Sequence, residues 1–204
     1  EFGESVALSA DGAVLAVGAP ARGAVGRVHA FEWNASTSAW TERDASGPPL
    51  VGNVHGGELG TSVALSADGA VLAAAAPGKS GSSFAGRVRT WMWRAELGHW
   101  TERAVVSRVD PSSLGLLTGA DFFGSRVALS ADGAVLAVGS KRHDGWRGSV
   151  HAFEWEKDGT TGGEVGEWTE RAEGEHFLLG TGDDQLGFSV ALSADGLVMA
   201  AGAP

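Results

Sequence analysis

The acidic residues that recur at one fixed place in this sequence are the first candidates for chemistry. The heptapeptide Val-Ala-Leu-Ser-Ala-Asp-Gly occurs four times, and its aspartates are Asp11, Asp68, Asp132 and Asp195. Calcium takes about six to eight oxygen ligands, whereas this segment offers one carboxylate. An Asp-Gly pair between two apolar runs is typical of a tight hairpin, because glycine tolerates positive φ. The pattern therefore predicts turns and no metal site here.

The histidines provide no catalytic or metal-binding pattern. His29 and His151 occupy the same place in their repeats, where the second repeat has Arg89, so the repeat register explains them better than metal binding does. No Ser-His-Asp arrangement follows from the spacings. The chain has no cysteine, which excludes disulfides, thiol catalysis and cysteine-based zinc sites. We therefore predict no catalytic residue, no metal and no cofactor.

The remaining charged groups are interpreted as loop residues. Asp121 and the pair Asp183-Asp184 stand before glycine-containing turns and fit loop capping. The densest basic stretch, Lys141-Arg142-His143, is followed at once by Asp144 and is typical of a solvated loop. These residues carry no functional prediction.

Tryptophan is the strongest packing feature, and two of the eight tryptophans are candidates for recognition. Six recur as one pair per repeat: Trp33/Trp40, Trp93/Trp100 and Trp155/Trp168. Each buried tryptophan removes about 150–250 Å² from water, although carbohydrate stacking is an alternative role for the pairs. Trp91, which we align with Ala30, and Trp146, in the loop after Lys141, break the repeat. We predict them as partner contacts, since exposed aromatic side chains in loops are common binding anchors.

One modification site is predicted. Asn34-Ala35-Ser36 is an N-glycosylation acceptor in a segment expected to be a surface hairpin.

Four short runs per repeat define the elements that must position these residues. Two apolar runs flank the Asp-Gly pair, a third run alternates with period two, as in residues 26–33, and a fourth is Trp-Thr-Glu-Arg. The charged end of the fourth run suits an outer edge strand. Four antiparallel strands per unit predict all-β propeller blades.

The repeat period separates this fold from its competitors. The heptapeptide begins at residues 6, 63, 127 and 190, so the period is 57 to 64 residues. WD40 blades recur every 40–45 residues or so, and helical repeats would show helix caps rather than short Val- and Gly-rich runs. We predict units at about residues 1–57, 58–121, 122–184 and, incomplete, 185–204.

These motifs resemble the FG-GAP repeats of integrin-α-like propellers. Phe2-Gly3 with Gly18-Ala19-Pro20, Phe123-Gly124, and Gly202-Ala203-Pro204 carry the resemblance, whereas Leu59-Gly60, Leu186-Gly187 and Gly139-Ser140-Lys141 depart from it. The resemblance implies a seven-bladed ring and a cell-surface or extracellular location. The family's Asp-x-Asp-x-Asp-Gly calcium loop is absent from this sequence.

Composition narrows the choice of partners. The formal net charge is −10 and no Lys/Arg cluster stands out, so nucleic acid is a poor candidate. No apolar run reaches the roughly 18 residues of a membrane span. About three and a half blades cannot close a ring, so we expect further blades from the rest of a longer chain or from another subunit.

The function predicted from these observations is a non-catalytic extracellular or cell-surface scaffold that binds protein or glycan partners or packs into a larger assembly. The alternative is a carbohydrate-active propeller enzyme, a hydrolase or lyase, which requires convergent carboxylate and histidine side chains.

Overall fold

The computed structural model describes residues 1–44, 47–77, 86–107, 121–159, 165–171 and 178–204. The first sheet contains β1 (Ser5–Leu8), β2 (Val14–Ala19), β3 (Arg27–Asn34) and β4 (Ala39–Glu42). The second contains β5 (Ser62–Leu65), β6 (Val71–Ala76), β7 (Arg87–Arg94) and β8 (His99–Val106). The third contains β9 (Phe123–Leu129), β10 (Val135–Ser140), β11 (Ser149–Lys157) and β12 (Gly166–Glu170), and β13 (Leu178–Leu179) also pairs with β11. A fourth, two-stranded sheet contains β14 (Ser189–Leu192) and β15 (Met199–Gly202).

Neighbouring strands in each sheet are antiparallel and follow one another along the chain. This architecture confirms the prediction of all-β propeller blades with four antiparallel strands. One short helical turn, α1 (His143–Trp146), lies between β10 and β11, and no helix of the described residues is long and apolar enough to cross a membrane.

The loop after each first strand explains why Ser-Ala-Asp-Gly repeats. In the first sheet, the Ser9 hydroxyl donates to Asp11 Oδ1 (2.6 Å), the Ala13 N–H donates to the same oxygen (2.9 Å), and the Val14 N–H donates to Ser9 Oγ (2.9 Å). Gly12 has a φ of 71°. Four residues separate Ser9 from Val14, so the loop is longer than the two-residue hairpin expected, because the serine and aspartate side chains satisfy its backbone donors.

The first strands of successive sheets, β1, β5, β9 and β14, lie side by side. Their loops are joined by a row of hydrogen bonds of 2.8 Å each: Ala10 N–H to Ala67 O, Ala67 N–H to Ala131 O, and Ala131 N–H to Ala194 O. The repeated loop is therefore also the inner contact between blades.

Because strand directions alternate, these inner loops lie at the same end of the sheets as the hairpins between the third and fourth strands. The opposite end is called the loop face; it contains the connections at residues 20–26 and 141–148 and the residues leading into each first strand. Connections on such a face are less constrained by packing and can carry binding residues.

Apolar side chains between sheets form the core. One cluster joins the first and second sheets and includes Val28, Leu72 and Trp100, and another joins the second and third and includes Val88, Leu136 and Phe153. Strand β6 is buried along its whole length, and its small Ala73–Ala76 side chains permit close approach on both faces.

The arginine of each Trp-Thr-Glu-Arg run contacts the next sheet, whereas the sequence predicted only an exposed charge on an outer edge strand. The Arg43 guanidinium donates to Gly69 O (2.7 Å) and lies 4.4 Å from the ring of Trp93. Arg103 repeats this with Gly133 O (2.8 Å) and Trp155 (3.8 Å). Burial lowers the pKa of Arg103 to about 10, which leaves it charged at neutral pH. We call this the Arg–Trp contact; it links blades through cation–π attraction.

Candidate functional site

The helical turn α1 gives the loop face of the third sheet its distinct chemistry. Its central residues Asp144 and Gly145 have φ values of 49° and 69°, and Trp146 has 80°. Through this tight turn, the Arg142 guanidinium lies 3.8 Å from the Trp146 ring and 4.5 Å from the Phe122 ring. Trp146 is 39% exposed.

Two further cations lie beside these rings. Lys141 Nζ is 5.7 Å from the Phe122 ring and 5.5 Å from the Phe188 ring, and the Arg126 guanidinium is 5.8 Å from Phe188. Burial lowers the pKa of Lys141, and the positive charges of Arg126 and Arg142 lower it further. In the described part of the chain, no carboxylate forms an ion pair with Lys141 or Arg126. The site therefore attracts anions, although the chain is acidic overall.

A carboxylate–imidazole pair adjoins these cations. Asp121 Oδ2 lies 3.5 Å from His143 Nδ1, and the two side chains are partly exposed. The Arg142 N–H also donates to Asp121 O (3.3 Å), which ties the segment before β9 to the turn after β10. A histidine held by a carboxylate can accept a proton from water. We call Asp121, Phe122, Arg126, Lys141, Arg142, His143, Trp146 and Phe188 the loop-face cluster.

The loop-face cluster unites residues that sequence reasoning treated separately. Lys141-Arg142-His143 was interpreted as a solvated loop and Asp121 as a loop cap, and the structure places them together. A sequence signal did exist, because Gly139-Ser140-Lys141 departs from the Gly-Ala-Pro ending of the first repeat.

The two tryptophans predicted as partner contacts occupy different environments. Trp146 belongs to the loop-face cluster, whereas Trp91 is 3% exposed and lies in the core between the first two sheets. Trp91 is opposite Leu72, as Phe31 is opposite Leu15, so it fills the place of Phe31 and the alignment with Ala30 was wrong. Their binding roles stay predictions, as does glycosylation of exposed Asn34.

A buried polar row in the third sheet resembles a catalytic triad in its connections. The Ser149 hydroxyl is 2.9 Å from His151 Nε2, and His151 Nδ1 is 2.7 Å from Glu170 Oε1. Ser149 and His151 are 0% exposed, so a substrate cannot reach the hydroxyl in this conformation. The row is best explained as a satisfied polar network inside the blade.

The carboxylates of the repeated aspartates accept hydrogen bonds from groups of their own loops. Hydrogen bonds from the Ser130 hydroxyl and the Ala134 N–H lower the pKa of Asp132, and the same arrangement lowers those of Asp11 and Asp195. Among the described residues, no group of three or more His, Asp or Glu side chains is arranged to hold a metal ion.

The fold is shared with solved propeller structures. The Pseudomonas aeruginosa periplasmic gluconolactonase PpgL has a TM-score of 0.59 and 18% identity, over 98% of this chain and 50% of that chain. A protein assigned as a 6-phosphogluconolactonase from Bacteroides uniformis has a TM-score of 0.55 and 13% identity, over 97% of this chain and 46% of that chain. A second one, from Bacteroides fragilis, has a TM-score of 0.52 and 16% identity, over 96% and 46%. This chain thus spans half, or slightly less, of these structures.

No family model and no curated protein matches the chain. The integrin-α-like FG-GAP assignment was therefore wrong, since no family model supports it and the similar structures described above are named as gluconolactonases and not as integrins. Short Gly-Ala-Pro and Phe-Gly motifs can arise wherever a sheet needs an aromatic anchor and a close backbone contact, so they do not define a family by themselves.

The prediction of a non-catalytic adhesion scaffold is also corrected. It rested on the integrin-like resemblance, and the three similar structures described above bear the names of lactonases. At these identities the similarity establishes the fold alone. The convergent carboxylate and histidine side chains required by the enzyme alternative do occur together, at Asp121 and His143.

Proposed function

We propose that this chain is part of a carbohydrate-active propeller enzyme, a hydrolase that opens the lactone of an anionic sugar. The observation that carries the proposal is the loop-face cluster, where Lys141 and Arg126 adjoin aromatic rings and a His143–Asp121 pair. The names of the similar structures, gluconolactonase and 6-phosphogluconolactonase, support the choice of substrate class.

Some residues of the loop-face cluster would bind the substrate, and others would take part in the reaction. A phosphate or carboxylate on the sugar would face Lys141, Arg126 and Arg142, because charge-assisted hydrogen bonds to such groups are strong in a partly desolvated site. Exposed Trp146 offers a flat apolar surface against which a sugar ring can stack.

Hydrolysis then needs one base and one acid. His143, oriented by Asp121, accepts a proton from water while the water oxygen bonds to the lactone carbonyl carbon. The carbonyl becomes an oxyanion, which the nearby cations stabilise. When the carbonyl re-forms, the ring C–O bond breaks, and the ring oxygen takes the proton back from His143. The product is an open-chain sugar acid, whose carboxyl then loses its own proton to water.

The test is turnover of 6-phosphogluconolactone and gluconolactone by the full-length protein. His143→Gln should lower kcat by about 10²–10⁴-fold, the usual contribution of a general base. Lys141→Met should raise KM for the phosphorylated lactone by about 10–100-fold, the effect of losing one charged hydrogen bond. His99→Gln, at a partly buried position, and Lys157→Met, at an exposed position, both lie outside the cluster; they are the matched controls and should match the parent protein.

The proposal fails if the full-length protein opens neither lactone faster than buffer does. It also fails if His143→Gln and His99→Gln have the same kcat.

We also propose that the remaining blades of the ring come from a longer chain or from another subunit, and that the four repeat units of residues 1–57, 58–121, 122–184 and 185–204 correspond to blades. We also propose that the protein is located outside the cytoplasm, because one similar structure is of a periplasmic protein. Detection of the mature protein in a periplasmic or culture-medium fraction checks this location.

A further inference from the structure

The first sheet has an opening in its outer strand that the second sheet lacks. The Arg43 N–H bonds to Ala30 O and the Val28 N–H bonds to Leu50 O, but residues 47–49, called the detour, make no backbone hydrogen bond to β3. Pro48 and Pro49 in this detour have no N–H to donate. In the second sheet, β8 continues alongside β7, with Val105 opposite Arg89. The detour leaves a cavity of about 360 Å³ beside His29.

His29 has an unusual polar environment in this cavity. Its Nδ1 lies 3.0 Å from Glu42 Oε1, whereas its Nε2 is buried and has no hydrogen-bond partner. The equivalent His151 has Glu170 at Nδ1 and Ser149 at Nε2. The first sheet has Arg27 in the place of Ser149, so the hydroxyl that satisfies Nε2 in the third sheet is missing here.

A second polar atom in the cavity wall is also unsatisfied. Asp44 Oδ2 accepts the Trp100 N–H (2.9 Å), which fixes the carboxylate, while its Oδ1 is buried without a partner. Buried unpaired polar atoms are energetically costly, so two in one cavity point to a ligand that hydrogen-bonds to both.

The charges of the wall define the ligand further. Arg22 and Arg27 line the same cavity, and no carboxylate in the described ranges forms an ion pair with either guanidinium. Glu42 and Asp44 also line it, so a doubly charged phosphate would meet stronger repulsion than a single carboxylate. The volume lies in the usual range for sites that bind small molecules.

We propose that this cavity binds a small polyhydroxylated carboxylate of about hexose size. The carboxylate lies against Arg22 and Arg27, a hydroxyl donates to Asp44 Oδ1, and a second hydroxyl bonds to His29 Nε2. This site is in the first sheet, contains no residue of the loop-face cluster and does not depend on lactone hydrolysis there.

The experiment uses the full-length protein labelled with ¹⁵N-histidine and titrated with sodium gluconate, glucose and acetate. We expect gluconate to shift the His29 Nε2 resonance saturably and with at least about 10-fold higher affinity than glucose or acetate, since only gluconate carries both kinds of group. Arg27→Ser copies the arrangement around His151, so it should fold, satisfy Nε2 with the new hydroxyl and abolish the shift.

Lys141→Met is the control that separates this site from the proposed active centre. It should leave the gluconate-dependent His29 shift unchanged even where lactone turnover falls. The proposal is overturned if gluconate leaves His29 Nε2 unmoved, if Arg27→Ser binds gluconate as the parent does, or if acetate binds as tightly as gluconate.

Discussion

Individual side chains in the Ser-Ala-Asp-Gly loops stabilise the backbone by hydrogen bonds to charged oxygen. The Asp132 pKa is lowered because its carboxylate accepts the Ser130 hydroxyl and the Ala134 N–H. A carboxyl whose pKa is lower in the folded state stabilises the fold above its unfolded-state pKa, and this contribution disappears as the pH falls through the folded-state value. We therefore expect acid unfolding to begin below the ordinary aspartate range of about 3.9.

Ser130→Ala tests this relation at one residue. The variant should raise the pKa of Asp132 towards its ordinary value and should lower the free energy of unfolding by about 1–3 kcal/mol, because the buried Val135 N–H also loses Ser130 Oγ. Carboxyl chemical shifts in an NMR pH titration measure the pKa, and denaturant unfolding measures the stability. Asp195, with Ser193 intact, is the internal control; an unchanged Asp132 pKa would contradict the account.

At the scale of elements, the Arg–Trp contact explains how an outer strand recognises the next blade. Trp93/Trp100 and Trp155/Trp168 form edge-to-face pairs with ring centroids 5.5 and 5.4 Å apart, and an arginine of the preceding sheet lies over each pair. The Trp pairs therefore contribute to the interface between neighbouring sheets as well as to packing within their own sheet.

Arg103→Ala should lower the free energy of unfolding by about 2–4 kcal/mol, since it removes a desolvated cation–π contact and a charged hydrogen bond to Gly133 O. In the 204-residue chain, Arg171→Ala is the matched comparison. Arg171 donates to Gly196 O and pairs with Glu154, and no Trp ring of the described residues lies beneath it, so we expect a smaller loss. Urea unfolding measures the free energy of unfolding of both variants. Equal losses in the two would contradict the cation–π explanation.

At the scale of the whole molecule, the first sheet exposes surfaces that the second and third bury. Trp33 and Trp40 are 41% and 40% exposed, whereas Trp100 and Trp155 are 1% and 5% exposed. Val6 and Leu8 of the inner strand β1 are also exposed. An apolar sheet face of this kind fits contact with another blade.

Acrylamide quenching of tryptophan fluorescence tests this contact. In the 204-residue chain, replacing Trp33 and Trp40 by Phe should reduce the readily quenched part of the emission to that of exposed Trp146. In the full-length protein, the same replacement should change quenching little, because a neighbouring blade would cover both rings. Ready quenching of both rings in the full-length protein would exclude an Arg–Trp contact at this sheet.

Local patterns in the sequence determined the blades of this protein. Alternating apolar runs, Asp-Gly loops and Trp-Thr-Glu-Arg segments specify strands, turns and their order, since each depends on neighbours a few residues away. The same patterns failed to identify a family, because short glycine motifs reflect the requirements of backbone packing, which many sheets share.

The candidate sites, by contrast, depend on contacts between distant parts of the chain. Asp121 and His143 meet because β9 and β10 pair, and Arg43 reaches Trp93 because two sheets pack face to face. The cavity beside His29 forms where residues 47–49 make no backbone hydrogen bond to β3. Such contacts join residues that are distant along the chain, and their geometry is set by the packing of whole strands and sheets, which residue spacing does not encode.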